Sequence, residues 1–314
     1  MSYSRTNSNF VSSTGVSPAM QTYYNRTLLQ ALEPELVHLR FAEEYPMPRN
    51  HGNLMSMRKI VPVETKTGQL AEGNPGSGVM LNETSLLVQL RQYGDYANFS
   101  DLFDYANIDF DLTQKVKLFA NAGARSIDAI VRDELATCTN VIYAGGKTTR
   151  EELTSEDKLT SKELRKAVRT LKKNNAQRFD GYYIGIIGPD ALYDLQEDEN
   201  FVRVAQYQDK EAVYKGEVGR LYGVRLIETS EAKMFTGAGA SGADVASIIV
   251  LGRYAYGVTS WKGAKPRVII KSPGSAGTAD PLDQISSVGW KMDGFGVKLL
   301  QPEYAVRIEC GVSA

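Results

Sequence analysis

The residues that could do chemistry are few, and their spacing gives them little to do. The chain has two histidines, His38 and His51. The first lies in a helical stretch beside Leu36 and Leu39, where it packs, and the second in a loop. No serine nucleophile motif accompanies either, so they supply no catalytic triad. The two cysteines, Cys138 and Cys310, stand far apart in no metal or redox spacing, and each reads as a small hydrophobe in an apolar pattern. Gly145-Gly146-Lys147-Thr148 shares the end of a phosphate-binding loop, but the motif needs a glycine where Val141 stands, and it needs a preceding strand where a helix is expected. Asp101, Asp104, Asp109 and Asp111 lack the alternate spacing and central glycine of a calcium loop. They are expected to favour the positive end of the following helix. The carboxylate pairs Asp133 with Glu134 and Asp194 with Asp198 come with no partnering group. No catalytic, cofactor-binding or metal-ligating residue is assigned, no cofactor is expected, and an enzyme is not indicated.

Charge excludes a tight nucleic-acid binder as the first reading. The 314 residues carry 36 Lys and Arg against 37 Asp and Glu, a formal net charge of -1. Proteins that grip phosphates usually show a basic surplus or stripe. The nearest approach is Lys162, Arg165, Lys166, Arg169, Lys172 and Lys173. These fall on the polar side of an amphipathic helix and are read as a solvated face. No apolar run of about 18 residues is present to span a membrane, and the first ten residues lack the apolar core of a signal peptide. A reducing cytosol is the expected compartment.

The elements follow from periodicity. Residues 1–20 are rich in Ser, Thr and Asn and read as a disordered or docked tail. A short helical stretch around Leu28, Leu32, Leu36 and Leu39 is interrupted by Pro34 and ended by Pro46 and Pro48. Asp111 and Gln114 then suggest a capping box. Leu112, Val116, Phe119, Gly123, Ile127, Ile130 and Leu135 recur at helical spacing, predicting a spine helix over residues 112–137, about 39 Å long. A second unit opens with a capping box at Thr160 and Glu163 and a buried stripe of Leu164, Val168 and Leu171. Tyr182-Tyr183-Ile184-Gly185-Ile186-Ile187-Gly188 reads as a strand covered on both faces. Pro189 starts a helix through Leu192 and Leu195. Strands are expected at 224–227 and 245–251, a loop at 237–242, and strands again at 267–271, 285–291 and 304–310, which could return to the spine.

Between tail and spine lies a segment with almost nothing to fold on. Met55, Met57, Val61 and Val63 alternate with polar residues, and Leu86, Val88 and Leu90 repeat the alternation. Between them runs Gly68-Gln69-Leu70-Ala71-Glu72-Gly73-Asn74-Pro75-Gly76-Ser77-Gly78, a tip of turn formers. An isolated hairpin is marginally stable in water. It either lies back on its own domain or is completed by another copy of the protein.

Three stretches, with the element order, carry a resemblance. They are Met57-Arg58-Lys59-Ile60-Val61-Pro62 through Leu70-Ala71-Glu72-Gly73, then Gly216-Glu217-Val218-Gly219-Arg220-Leu221-Tyr222-Gly223-Val224-Arg225-Leu226-Ile227-Glu228-Thr229, and Asp280-Pro281-Leu282-Asp283-Gln284 with Gly289-Trp290-Lys291. The chain resembles the major capsid proteins of tailed phages with the Hong Kong 97-type (Johnson) shell fold, closest to the coat proteins typified by podophage N-four. The resemblance implies an α+β fold divided into an N-terminal arm (1–50), an extended loop (51–100), a peripheral domain with the spine helix (101–158), an axial domain (159–265) and C-terminal strands of the peripheral domain (266–314). It implies assembly with copies of itself into hexamers and pentamers of an icosahedral shell around double-stranded DNA, without sequence-specific binding. A separate scaffolding protein and a portal are implied partners, because the N-terminal segment is too short for a built-in coiled-coil scaffold and lacks heptads. Intersubunit contacts are expected from Arg58, Lys59, Leu70, Glu72 and Arg91. The expected place is the virion capsid, assembled in the host cytoplasm. The alternatives are an encapsulin-like cellular nanocompartment shell and, from another class, an α/β enzyme built on residues 159–265.

Overall fold

The computed structural model describes residues 36–60, 67, 83–106, 112–198, 217–275, 277 and 280–312. The tail and most of the expected helical stretch at 28–39, Val61 and Val63, the tip at 68–78, and Asp109 and Asp111 lie outside them. Within them, Leu39–Phe41 forms a single 3-10 turn. The strands in chain order are β1 (Glu43–Met47), β2 (Leu54–Ile60), β3 (Glu83–Gln89), β4 (Arg91–Ser100), β5 (Val141–Tyr143), β6 (Tyr183–Ile187), β7 (Glu217–Leu221), β8 (Val224–Glu228), β9 (Met234–Phe235), β10 (Val245–Leu251), β11 (Tyr256–Trp261), β12 (Arg267–Lys271), β13 (Ile285–Leu299) and β14 (Ala305–Gly311). The helices are α1 (Asp101–Ala106), α2 (Leu112–Leu135), α3 (Ser161–Lys173) and α4 (Pro189–Gln196).

Two sheets share one interior. The first centres on the 15-residue β13. Antiparallel to it, β4 lies along one side, while β12 and β11 take successive stretches of the other, and β1 adds parallel to β11. The second runs β5-β14-β10-β6-β8-β7, with β9 beside β10. The spine helix α2 lies on the first sheet. Its fully buried face is Val116, Ala120, Ala124, Ile127, Val131 and Leu135, whereas Phe119 and Ile130 are only half-buried. The expected stripe was therefore turned slightly from the true one. Small residues let the helix settle close to the sheet: a Cβ at Gly123 would lie 2.9 Å from Trp290 Cδ2.

The apolar run at β6 is buried throughout because both faces are covered. Ile184 and Ile186 join Ile249 and Leu251 in the core under α2, while Tyr183 and Ile187 join Ile248, Val250, Val306 and Ile308 beneath α3 and α4. In α3, Leu164, Ala167, Val168 and Leu171 are buried as expected. The Thr160 and Glu163 side chains hydrogen-bond each other, and Asp198 accepts from the Ser161 backbone N–H at 2.8 Å. Pro189 opens α4, with Leu192 and Leu195 buried.

Sequence boundaries and sheets do not coincide. Strand β14, expected beside the spine in the peripheral unit, pairs antiparallel with β10 in the second sheet. Strand β5 joins the same sheet from before residue 158, and β11 joins the first sheet from before residue 265. The chain thus crosses between the sheets more often than a block division allows. The Gly145-Gly146 turn follows β5, not a helix, because Val141, Ile142 and Tyr143 come between it and the end of α2 and pair with β14.

Candidate intersubunit surface

The hairpin is built with two different faces. Strands β2 and β3 pair antiparallel from Leu54 opposite Gln89 to Ile60 opposite Glu83. Period two sends Met55, Met57 and Lys59 inward with Leu86 and Val88, and Leu54, Ser56 and Arg58 outward with Ser85 and Leu87. Met57 and Val88 are buried against Leu300, flanked by Tyr45 and Leu86. Glycine at 296 is required there, since a Cβ would lie 2.7 Å from Val88 Cγ1. The base of the arm therefore packs on its own subunit, as one of the two sequence readings held. The outer face does not: Leu54 is 57% exposed and Leu87 67%.

The five expected contact residues separate. Arg58 is exposed on the outer face. Lys59 lies on the inner face, where its Nζ donates to both carboxylate oxygens of Glu303 at 3.0 and 3.1 Å. Burial alone would raise the Glu303 carboxyl, but the bonds from Lys59 and from backbone outweigh it and hold the pKa below the ordinary 4.5. Lys59 thus has a partner within the chain, which sequence reasoning could not see across 244 positions. Arg91 is exposed at the start of β4, opposite Phe295. Leu70 and Glu72 lie outside the described residues.

A second surface lies on the first sheet, on the side away from α2. There β4, β12 and β13 frame an open groove of about 670 Å³. Tyr96, Ile269 and Ile285 line it, exposed by 69%, 37% and 45%. Its floor includes Gly289, where a Cβ would stand 2.6 Å from both Asp95 O and Tyr96 Cβ. This surface escaped sequence reading because β4 itself did.

The buried polar groups serve the frame. His38 and Asp128 are exposed by 1% and 0%, with Nδ1 and Oδ2 2.6 Å apart, so no substrate reaches them. The Tyr256 hydroxyl donates to the His38 carbonyl, and burial, then the charge of Asp128, raise its pKa. His51 stays in an exposed loop, its Nδ1 2.9 Å from Arg49 O. Cys138 and Cys310 are both free and buried, and burial raises both thiols. Among the described residues, no cluster of three or more His, Cys, Asp or Glu could hold a metal ion, and no helix is long and apolar enough to cross a membrane.

This arrangement of a spine helix on a sheet with a second α/β layer matches solved capsids. The capsid of Ralstonia phage GP4 superposes with a TM-score of 0.68 at 14% identity, covering 87% of this chain and 88% of that one. The capsid of cyanophage P-SCSP1u gives 0.66 at 15% identity, over 88% and 89%. A virus-like particle from Pyrococcus furiosus gives 0.53 at 12% identity, over 92% and 99%. At such identities the likeness shows the fold, which is of the Hong Kong 97 type. No curated protein matches the sequence. A family model described as phage capsid protein matches residues 98–265, more than half of the chain. With fold and family in agreement, the chain belongs to the phage capsid protein family.

Proposed function

We propose that this capsid protein is the major coat subunit of an icosahedral phage shell, acting by self-association and not by catalysis. The observation that carries the reading is the two-faced hairpin: one face is fastened to its own subunit by Met57, Val88 and Lys59, while the other holds Leu54 and Leu87 out in water. Exposed apolar residues on a strand pair mark a surface meant to be covered. A neighbouring copy covers it, so the arm reaches across a subunit boundary with Arg58, Leu70, Glu72 and Arg91 in or near the contact. Lys59 supports that contact indirectly, by fixing the base.

In this reading the subunits form hexamers and pentamers around double-stranded DNA, with a portal at one vertex and a separate scaffolding protein during assembly in the host cytoplasm. Residues 51–100 act as the extended loop. The first sheet with α2 acts as the peripheral domain, and the second sheet with α3 and α4 as the axial one, β14 included. The podophage N-four type remains the subtype favoured by the sequence stretches quoted above. An encapsulin-like shell is the second reading, favoured by the likeness to the archaeal virus-like particle, but at a lower TM-score than the phage capsids.

Electron microscopy of the purified protein, with and without co-expressed scaffold, tests this. Closed shells of hundreds of ångströms are expected only with the scaffold. Uniform shells from the chain alone would remove the scaffold from the account, and a small soluble particle under both conditions would remove the shell.

A further inference from the structure

The outer face of α3 gathers cations in a single row. Several cations elsewhere sit beside carboxylates: Lys158 with Asp194 and Glu197, Lys233 with Asp133, Arg267 with Asp293, Lys298 with Glu134. On α3, Lys166 reaches Glu163 at 3.5 Å. Lys162, Arg165, Arg169, Lys172 and Lys173 are exposed, and no carboxylate of the described residues pairs with them. From Lys162 to Lys173 the row runs about 17 Å along the helix. A chain of net charge -1 has thus gathered in one row five cations with no carboxylate partner among the described residues.

The neighbouring hairpin shapes this row. Strands β7 and β8 join through Tyr222 and Gly223, both at positive φ, 51° and 87°. An aromatic residue rarely takes that conformation. Here it sets the Tyr222 ring under Arg165, whose guanidinium carbon is 5.4 Å from the ring centroid. Arg165, Arg169 and Lys172 then surround a notch of about 340 Å³ with Val168 and Tyr222. Farther along, Arg220 lies 4.7 Å over the Tyr182 ring and donates to its hydroxyl at 3.3 Å. Stacking of this kind holds a guanidinium in place at the surface.

We infer that the α3 face and the Tyr222 turn form a sequence-independent contact surface for the phosphate backbone of double-stranded DNA. An acidic protein surface is the competing occupant, but a protein interface needs apolar or aromatic anchors in a core depleted of charge. The apolar residues of α3 are turned inward, leaving cations outside. A duplex presents about ten phosphate charges over the same 17 Å. The inference rests on the shell reading only for where that duplex lies.

The test is anisotropy of a short labelled duplex with the full-length subunit between 50 and 200 mM salt. About four phosphate contacts predict a log–log salt slope of about -3.6, and an affinity loss on the order of a hundredfold over that range. The triple variant Arg165→Gln, Arg169→Gln, Lys172→Gln is expected to bring the slope to about -1, while Lys117→Gln, an exposed cation on α2, leaves it unchanged. An unchanged slope in the triple variant overturns the inference. So does polyglutamate displacing the duplex at matched charge, which would assign the face to an acidic protein. The slope is read on unassembled subunits, so it decides this surface whether or not particles form, and microscopy of the same preparations decides the shell reading.

Discussion

His38 Nδ1 lies 2.6 Å from Asp128 Oδ2, a carboxylate buried midway along the spine helix. The other oxygen accepts the backbone N–H groups of His38 and Leu39 at 2.8 and 3.3 Å. One helical side chain thereby receives the incoming N-terminal segment, and Tyr256 closes the tie by donating to the His38 carbonyl. Asp128→Ala would strand these donors in the core. It is expected to destabilise the subunit by about 3–5 kcal/mol, read by urea denaturation. A loss below about 1 kcal/mol would mean that water replaces the carboxylate and that the tie is dispensable.

The spine makes a graded prediction. Ile127→Ala, at a fully buried position, is expected to cost about 2–5 kcal/mol. Gly123→Ala pushes a methyl toward Trp290 and is expected to cost about 1–3 kcal/mol. Phe119→Ala, half-buried, should lose less than Ile127→Ala, and exposed Lys117→Ala should stay within about 0.5 kcal/mol. Denaturant midpoints give the ranking, and equal losses at Phe119 and Ile127 would contradict the observed packing.

The Lys59–Glu303 contact predicts a pH dependence of the arm. The folded pKa of Glu303 lies below its ordinary 4.5, so the stabilisation is present above that value and fades as pH falls through the lower folded value. Hydrogen exchange in β2 and β3 should therefore be faster in Glu303→Gln than in the wild type at neutral pH, with the two converging in acid. Glu303 is 55% exposed, so the effect should be local fraying, not global unfolding. A difference that persists with the carboxyl protonated would exclude the ion pair as its cause.

Sequence was informative wherever one face of an element is dry. The alternation survived because Met57, Leu86 and Val88 meet Leu300 while the Met55 sulfur accepts from Thr259. The stripe of α2 was found but turned, since Ala120 and Ala124 carry little hydropathy and yet are fully buried. Strand β4 was invisible: Gly94, Asp95, Tyr96 and Asn98 look like a turn, and its residues are exposed or half-buried. Strand β1 holds Pro46, which reads as a breaker but is tolerated because, among the described residues, β1 pairs only with β11 at the sheet edge. The candidate surface was legible as an arm. Its anchors were not, because Glu303 and Leu300 come from the far end of the chain.

The arm carries the central claim, that the shell is held together by a hairpin fixed on one subunit and covered by the next. Deleting residues 66–80 leaves the Met57, Val88 and Lys59 anchors in place. Sedimentation and electron microscopy of that variant, expressed under the conditions in which the unaltered chain closes shells and with circular dichroism confirming a native fold, measure the claim directly. The expected result is a folded, soluble subunit that closes no shells. Particles of normal size and yield would contradict it.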